Sequence, residues 1–551
     1  MLRNLARGIG ELLTRPFRKH LIFLIAFFTL GTSPYFIKFF YNSSYFYDGS
    51  YSYFYSFLVL LHCTLISYIV TLLIGLIQHK NTRRVIQILL IGISSILFIL
   101  NIYCIFELHS LVDSDYIMLM LGTNVNEAKE FASTLIPFNI ILGIIGVFSS
   151  LIVLWLFSMR HPFKLGKKWS IIALGLILIC AMKEIYRWGI WKDGPICHIT
   201  ELYTTLHDYC MPGDSQLKHA PPSISYIDNQ EAPTNVVLII GESFARFHSS
   251  LYGYGKLTNP CLKGLHDKSL LFFIDSIDSP APMTTISLQY MLTTFNRETE
   301  EHQMTKWYEH PSVIELMKEC GFDCYWFSNQ ARAGNFNYIA RVFAESCKQY
   351  FFFQREGAID YNNRYDIVLV DSSYQFVQKL NVQNQHNFII YHMMGSHFDY
   401  SKRYTDDFNH FSKNDYLQYP KNQREILATY DNSILYNDYV VNRIIDIYKD
   451  IEAIILYVPD HGQDMFRSSP DYHTHGKMND PVSYAYGVEI PFMIYASPLY
   501  QAKHPDVVER IKYRQNHTKN WNSENLPYLI MDLIGVKEVD GEAVKTKSLL
   551  N

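Results

Sequence analysis

Four short polar segments carry the residues that could do chemistry. They combine carboxylate and imidazole side chains, and most of them directly follow a run of apolar residues. The segments are Gly241-Glu242-Ser243, His392 to His397, Pro459-Asp460-His461-Gly462 and His473-Thr474-His475-Gly476. Carboxylate oxygens and imidazole nitrogens are suitable zinc ligands, and an Asp-His pair after a strand can direct both side chains at one ion. We therefore expect a metal site assembled from distant parts of the chain.

The elements that position these segments are short apolar runs separated by helical stretches. Such runs, apolar throughout, indicate strands of a mostly parallel sheet covered on both faces, the α/β class. Ligands bind at the carboxyl ends of the strands in such sheets. The predicted strands are residues 236–240, 271–274, 324–327, 367–370, 388–391, 453–458 and 491–495, and the clearest helix is Asn432 to Tyr448.

The N-terminal part of the chain is apolar enough to cross a bilayer several times. A span needs about 20 mainly apolar residues. We predict five transmembrane helices, at about residues 21–40, 54–77, 85–106, 135–157 and 169–187. No small-residue cleavage site follows the first of them, so it is not expected to be a cleaved signal peptide.

Basic residues predict the orientation of these spans. Twelve lie before the first span or in the second and fourth connections, whereas the opposite connections carry only Lys38 and Lys129. The positive-inside rule places the N-terminus in the cytoplasm, and an odd number of spans places the C-terminal part outside. The twelve are Arg3, Arg7, Arg15, Arg18, Lys19, Lys80, Arg83, Arg84, Arg160, Lys164, Lys167 and Lys168.

These patterns divide the chain into a transmembrane domain at 1–190, a proline-rich linker at 191–233 and a catalytic domain at 234–551. Six cysteines lie outside the membrane, which fits disulfides in an oxidising compartment. Cys197 with Cys210, and Cys320 with Cys324, are candidate local pairs. A zinc-thiolate site is disfavoured because paired C-x-x-C spacing is absent.

Composition excludes two broad classes. The net charge of -4 over 551 residues argues against a nucleic-acid-binding protein, which would show a basic excess. Apolar residues make up 49% of the chain, which excludes wholesale disorder.

Several motifs, in one order, resemble those of the membrane-bound phosphoethanolamine transferases. The segment from Gly241 to Pro260 is similar to the opening motif of that family. Matches to later motifs follow in order: Trp326-Phe-Ser-Asn-Gln, Gly395-Ser-His397, Tyr430-Asp-Asn-Ser, Asp460-His-Gly and His475-Gly. The resemblance implies five transmembrane helices and a periplasmic sulfatase-like (alkaline-phosphatase-type) domain, in the bacterial inner membrane.

The resemblance also assigns roles to individual residues. It implies one or two zinc ions, with the catalytic zinc held by Glu242, Asp460, His461 and a threonine nucleophile. The pattern of a Thr with Ser three residues later favours Thr284, with Thr285 as the alternative. His397 and His475 would hold a substrate phosphate or a second zinc, with His473 as the competitor of His475. Thr123, Glu127 and Asn329 would bind substrate.

The sequence departs from the family pattern at three places, one of which is Leu119, where the family has Asn before the residues matching Thr123 and Glu127. Ser243 stands where Thr is usual after the motif glutamate, and we interpret it as a backbone-capping residue. The cysteines that flank the nucleophile in lipid A enzymes are replaced here by residues such as Met283 and Tyr290. The disulfide of that subfamily is therefore not expected.

The activity that the resemblance implies is transfer of phosphoethanolamine from phosphatidylethanolamine to an envelope glycolipid or glycan. The transfer would pass through a phosphoethanolamine ester of Thr284. We expect a monomer that contacts membrane lipid and no nucleic acid. The alternatives are a glycerol-phosphate transferase, a lipid phosphodiesterase and an inactive scaffold. A sulfatase is disfavoured because the segment from Ser279 lacks the arginine of the C/S-x-P-x-R motif.

Overall fold

The computed structural model describes residues 2–41, 49–107, 143, 146, 149–150, 165–186, 221–226, 232–297, 305–332, 338–354, 365–382, 386–470, 474–476, 480–517 and 519–551. The chain divides into two compact units, Met1–Gly213 and Asp214–Asn551.

The described part of the first unit is helical. Helix α1 packs on α3: the hydroxyl of Tyr68 donates to the Leu13 carbonyl at 2.8 Å, and the rings of Phe17 and Tyr68 stack. The helices are α1 (Leu2–Lys19), α2 (Leu21–Tyr41), α3 (Gly49–Leu76), α4 (Lys80–Glu107) and α5 (Lys167–Tyr186).

The prediction of five spans is not confirmed. Among the described helices, Lys80–Tyr103 alone combines the length and the apolar composition needed to cross a bilayer. The apolar stretches Leu21–Pro34 and Cys63–Leu76 are shorter. The predicted span at 135–157 lies almost wholly outside the described residues.

The second unit is built on an eight-stranded sheet in the order β5-β4-β6-β2-β7-β8-β3-β9. Strands β5, β4, β6, β2 and β7 run parallel, whereas β8 runs antiparallel to both β7 and β3. Its strands are β2 (Asn235–Gly241), β3 (Leu271–Asp278), β4 (Asp323–Ala331), β5 (Gln349–Gln354), β6 (Asn387–His392), β7 (Ala453–Pro459), β8 (Glu489–Ala496) and β9 (Trp521–Asn522). The α/β prediction is confirmed, with a mixed sheet.

A second, small sheet joins β1 (Ile224–Tyr226), β10 (Val536–Val539) and β11 (Glu542–Ala543). Strand β1 pairs with β10 near the C-terminus of the chain. Residues 224–226 lie within the proline-rich segment at 191–233 and pair with a strand of the second unit.

Helices cover both faces of the large sheet. Alternate residues of β2 point to opposite faces, so Leu238 packs with one helical layer and Ile239 with the other. Both faces are buried, which explains why the strand sequences are apolar throughout. The helices are α6 (Pro260–Asp267), α7 (Thr284–Met291), α8 (Val313–Glu319), α9 (Tyr338–Glu345), α10 (Ile367–Val382), α11 (Lys421–Ile447), α12 (Pro481–Val488), α13 (Pro498–Lys503), α14 (Pro505–Asn516), α15 (Leu526–Leu533) and α16 (Val544–Lys547).

Two local predictions were wrong. Residues 367–370 begin helix α10 rather than forming a strand. A run of four apolar residues fits a buried helix as well as a strand. The helical spacing becomes evident only in the residues that follow this run, where the buried positions are Leu369, Ser373, Val377 and Leu380. The Cys320–Cys324 disulfide is not formed, because Cys324 is a buried free thiol. Cys197 and Cys210 lie outside the described residues.

Candidate active site and metal centre

The parallel pairing of β2 and β7 brings the first and third polar segments together, Gly241-Glu242-Ser243 and Pro459-Asp460-His461-Gly462. Gly241 is paired with Pro459 at the carboxyl ends of these strands, so Glu242 and the Asp460-His461 pair leave the sheet side by side. All three side chains are buried. The site therefore lies at the strand ends, as the sequence predicts.

Thr284 reaches this cluster as the first residue of α7. Its Oγ1 lies 3.3 Å from Glu242 Oε2 and 3.4 Å from His461 Nε2. The preceding residue, Met283, gives no side-chain cap to the helix. The hydroxyl is therefore placed at a helix N-terminus, where backbone N–H groups favour an anion such as phosphate.

The ring of His461 is oriented by its own backbone neighbour. Nδ1 lies 2.7 Å from the Gly462 carbonyl oxygen, and this contact assigns the proton to Nδ1. Nε2 then faces the cluster, 3.3 Å from Glu242 Oε1 and 3.6 Å from Asp460 Oδ2. A metal ion would bind this Nε2 in place of a proton, through the lone pair of the neutral imidazole.

Asp460 gives the clearest sign that a cation fits here. Its Oδ1 accepts hydrogen bonds from the backbone N–H groups of Ser243 and His461, at 3.2 and 2.8 Å. Its Oδ2 is buried and has no hydrogen-bond partner among the described residues. A buried carboxylate oxygen without a partner is costly, and a metal ion would remove that cost.

The electrostatics of the cluster also favour a cation. Burial and the neighbouring Glu242 raise the pKa of Asp460 above its usual value. Burial opposes the charged form of Glu242 too, but the hydrogen bond and charge of His461 bring its pKa below the usual range. Despite burial, Asp460 and Glu242 raise the pKa of His461 to about 9. Two carboxylates thus share a dry site that attracts positive charge.

His475 lies closer to the carboxylates than the sequence could indicate. His475, Glu242 and His461 each offer one ligand atom, and these three atoms lie within 4.8 Å of one another. The centroids of the two imidazole rings are 4.5 Å apart. Desolvation of the half-buried ring lowers the pKa of His475, and the positive charges of His461 and His397 act in the same direction. The ring is therefore held neutral and could serve as a ligand.

His397 lies at the edge of the cluster. Its Nδ1 is 2.7 Å from the Phe398 carbonyl oxygen, and Arg403 Nε donates to the His397 carbonyl oxygen at 2.8 Å. Its charge lowers the pKa of Glu242 and of His475. These contacts fix a third imidazole within electrostatic reach of Glu242.

The middle motif reaches the site through a different residue from the one named by the resemblance. The Asn329 amide donates to Asp366 at 2.8 Å, and Asp366 in turn accepts from the Met394 and Gly395 N–H groups. Asn329 therefore supports the loop that carries His397. The next residue, Gln330, donates to Glu242 Oε2 at 3.4 Å. Sequence reasoning missed Gln330, although it ends the quoted motif.

Ser243 does not act as the backbone cap proposed from the sequence. Its hydroxyl donates to Glu242 Oε1 at 2.6 Å. The cap assignment failed because side-chain direction in the left-handed conformation of this residue, with φ of 57°, was not foreseeable.

The segment before Thr284 is held by hydrogen bonds. The carbonyl groups of residues 279–281 each accept a side-chain donor: Asn522 Nδ2 at 3.3 Å, Arg297 Nη2 at 2.5 Å and Ser287 Oγ at 2.7 Å. No disulfide was expected in this segment. These bonds fix the approach of the chain to Thr284.

Three predicted site residues lie outside the described residues. They are Thr123, Glu127 and His473. Their roles stay predictions. Thr285, the alternative nucleophile, follows Thr284 in the first turn of α7.

The family profile described as Sulfatase matches residues 234–536, and the chain belongs to this family. Among curated proteins it is similar to phosphoethanolamine transferase EptC of Escherichia coli (strain K12), 28% identical over 467 residues that cover 79% of this chain and 77% of EptC. It is also 28% identical over 460 residues to phosphoethanolamine transferase CptA of Salmonella typhimurium, covering 76% of this chain and 74% of CptA.

Two solved structures are similar as well. The C-terminal periplasmic domain of Escherichia coli EptC, crystallised in complex with Zn, matches 60% of this chain and 90% of that chain, with 27% identity and a TM-score of 0.53. The second is the integral membrane protein lipooligosaccharide phosphoethanolamine transferase A (EptA) from Neisseria meningitidis. The match covers 94% of this chain and 95% of that chain, with 17% identity and a TM-score of 0.65. The latter supports the fold alone, including the presence of a membrane domain.

Asp460→Asn keeps the shape of this side chain but removes its charge. We expect zinc affinity to fall by more than the roughly 10–100-fold that follows loss of an outer-shell partner. The measurement is zinc content by mass spectrometry after equilibration with a competing chelator.

The matched control for this variant is Glu452→Gln. Glu452 is a buried carboxylate that directly precedes β7, at the opposite end of the strand from Asp460. The control should keep the zinc of the parent protein. Parent-like zinc affinity in Asp460→Asn would contradict the site described here.

Proposed function

We propose that this protein transfers phosphoethanolamine from phosphatidylethanolamine to an acceptor in the cell envelope, with Thr284 as the nucleophile. The observation that carries the proposal is the position of Thr284 Oγ1, 3.3 and 3.4 Å from two potential metal ligands at a helix N-terminus. The similarity to phosphoethanolamine transferases supports the transferred group. The glycolipid acceptor is supported by relatives named Kdo(2)-lipid A phosphoethanolamine 7''-transferase.

The residues that would hold a catalytic zinc are Glu242, Thr284, Asp460 and His461. The buried Oδ2 of Asp460, which accepts no hydrogen bond from the described residues, supports this set, as does the presence of Zn in the EptC domain. When bound, zinc would lower the pKa of the threonine hydroxyl and neutralise charge on the substrate phosphate. His475 lies near enough to serve as a ligand of a second ion, and we therefore propose one or two zinc ions.

In the first half-reaction, Thr284 Oγ1 loses its proton and attacks the phosphorus of phosphatidylethanolamine. The bond from phosphorus to the glycerol oxygen breaks, and diacylglycerol leaves with a proton. His397 stabilises the charge on the phosphoryl group or protonates the leaving oxygen, and His475, held neutral, stabilises that charge. A phosphoethanolamine ester of Thr284 remains.

In the second half-reaction, an oxygen of the acceptor attacks the same phosphorus. The bond to Thr284 Oγ1 breaks and the hydroxyl regains a proton. Because the α7 N-terminus faces the phosphate in both halves, one set of donors serves both steps. A phosphodiesterase would share the first half-reaction and use water in the second.

The membrane part of the chain is proposed to keep the enzyme at its lipid substrate. Donor and diacylglycerol both stay in the bilayer, so a tethered domain gains effective concentration over a free one. We propose an inner-membrane location with five spans, a cytoplasmic N-terminus and the catalytic domain in the periplasm. Thr123 and Glu127, in the connection after the third span, would approach the ethanolamine group.

Thr284→Ala should reduce transfer by at least about 10³-fold, since removal of a catalytic nucleophile has effects of this size or larger. The melting temperature of the metal-free protein should change little by comparison. The measurement is turnover of a fluorescent phosphatidylethanolamine, with intact-protein mass spectrometry to detect the ester in the parent.

Thr285→Ala is the matched control, because it removes the neighbouring hydroxyl from the same helical turn. It should keep most of the activity and the ester. Full activity in Thr284→Ala with loss in Thr285→Ala would move the nucleophile by one residue.

The acceptor can be identified in cells that carry or lack the gene. We expect a phosphoethanolamine increment on an envelope glycolipid or glycan only when the gene is present, because the proposed topology exposes the site to that compartment. Mass spectrometry of envelope fractions measures it, with the Thr284→Ala gene as control. Lipid turnover with no increment on any envelope component would favour a phosphodiesterase.

A further inference from the structure

We infer that Ser243 is a positioning residue that joins the two ligand carboxylates, and that Tyr430 holds Ser243 in the conformation this requires. The inference rests on the metal site of the proposed function and deepens it. In this inference Ser243 fixes the positions of the Glu242 and Asp460 carboxylates relative to each other.

Ser243 contacts both carboxylates at once. Its hydroxyl donates to Glu242 Oε1 at 2.6 Å, and its backbone N–H donates to Asp460 Oδ1 at 3.2 Å. One carboxylate follows β2 and the other follows β7, so this residue bridges the two strand ends. Because Oδ1 of Asp460 is engaged in this way, the oxygen that remains for a cation is the buried Oδ2.

The conformation that allows both contacts is unusual for this residue type. Ser243 has φ of 57°, in the left-handed region that non-glycine residues seldom occupy. Such conformations persist only where the surrounding structure fixes them. Ser243 is fully buried, so its backbone groups also require partners within the protein.

Tyr430, on helix α11, supplies those partners. Its hydroxyl donates to the Ser243 carbonyl oxygen at 2.7 Å and accepts from the Ala245 N–H at 2.8 Å. The ring is itself buried and packs edge-on against His248. One hydroxyl thus holds both sides of the turn, at residues 243 and 245.

The test is zinc affinity, measured by chelator competition on the purified full-length protein. Ser243→Ala and Ser243→Gly both remove the hydroxyl, and the glycine variant also accepts the left-handed backbone without strain. Both should raise the zinc dissociation constant by about 10–100-fold, the usual cost of losing an outer-shell partner. The melting temperature of the metal-free protein is measured separately, because a purely structural role would change it and not the affinity of folded protein.

Tyr430→Phe should weaken zinc binding about tenfold in the parent, within the usual outer-shell range, and by a smaller factor in Ser243→Gly. Tyr500→Phe is the matched control. Tyr500 is a buried tyrosine whose hydroxyl has no hydrogen-bond partner among the described residues, and its loss should leave zinc affinity unchanged.

Parent-like zinc affinity in both Ser243 variants would overturn the inference. If Tyr430→Phe weakens zinc binding by the same factor in the parent and in Ser243→Gly, Tyr430 does not act through Ser243. If Tyr430→Phe does not fold, the two Ser243 variants decide the inference on their own. A parent protein that binds no zinc would instead overturn the metal site of the proposed function, so the two failures are distinguishable.

Discussion

The feature on which the rest of the site depends is a pair of buried carboxylates held side by side. Glu242 and Asp460 leave adjacent parallel strands, and neither is exposed to solvent. Two such groups repel each other in a dry site, and one oxygen of Asp460 accepts no hydrogen bond from the described residues. A divalent cation removes both costs, so the fold creates a place where binding a metal ion is favourable before any substrate arrives.

The remaining parts of the site limit how that cation could be used. The first turn of α7 presents a hydroxyl to the carboxylates, and three anchored carbonyl groups fix the chain that leads to it. Close glycine packing adds to this, because a Cβ at Gly487 would lie 2.7 Å from that of Pro282. A nucleophile held this rigidly supports catalysis by orientation, with little rearrangement during the reaction.

The sequence predicted the parts of the site that depend on strand ends. Glu242, Asp460 and His461 each follow an apolar run, and parallel pairing then brings them together whatever the details of the helices. It could not predict contacts that depend on side-chain direction. Gln330 and Ser243 are examples, since each contacts Glu242 through a geometry set by packing. The strand proposed at 367–370 failed because four apolar residues fit a buried helix equally well.

Anomalous X-ray diffraction at the zinc edge, from crystals of the protein, tests most directly whether these carboxylates hold a metal ion. We expect a peak within about 2.0–2.2 Å of oxygen or nitrogen atoms of Glu242, Thr284, Asp460 and His461. A strong peak held by other residues, or these four groups remaining without any peak in zinc-saturated crystals, would contradict it.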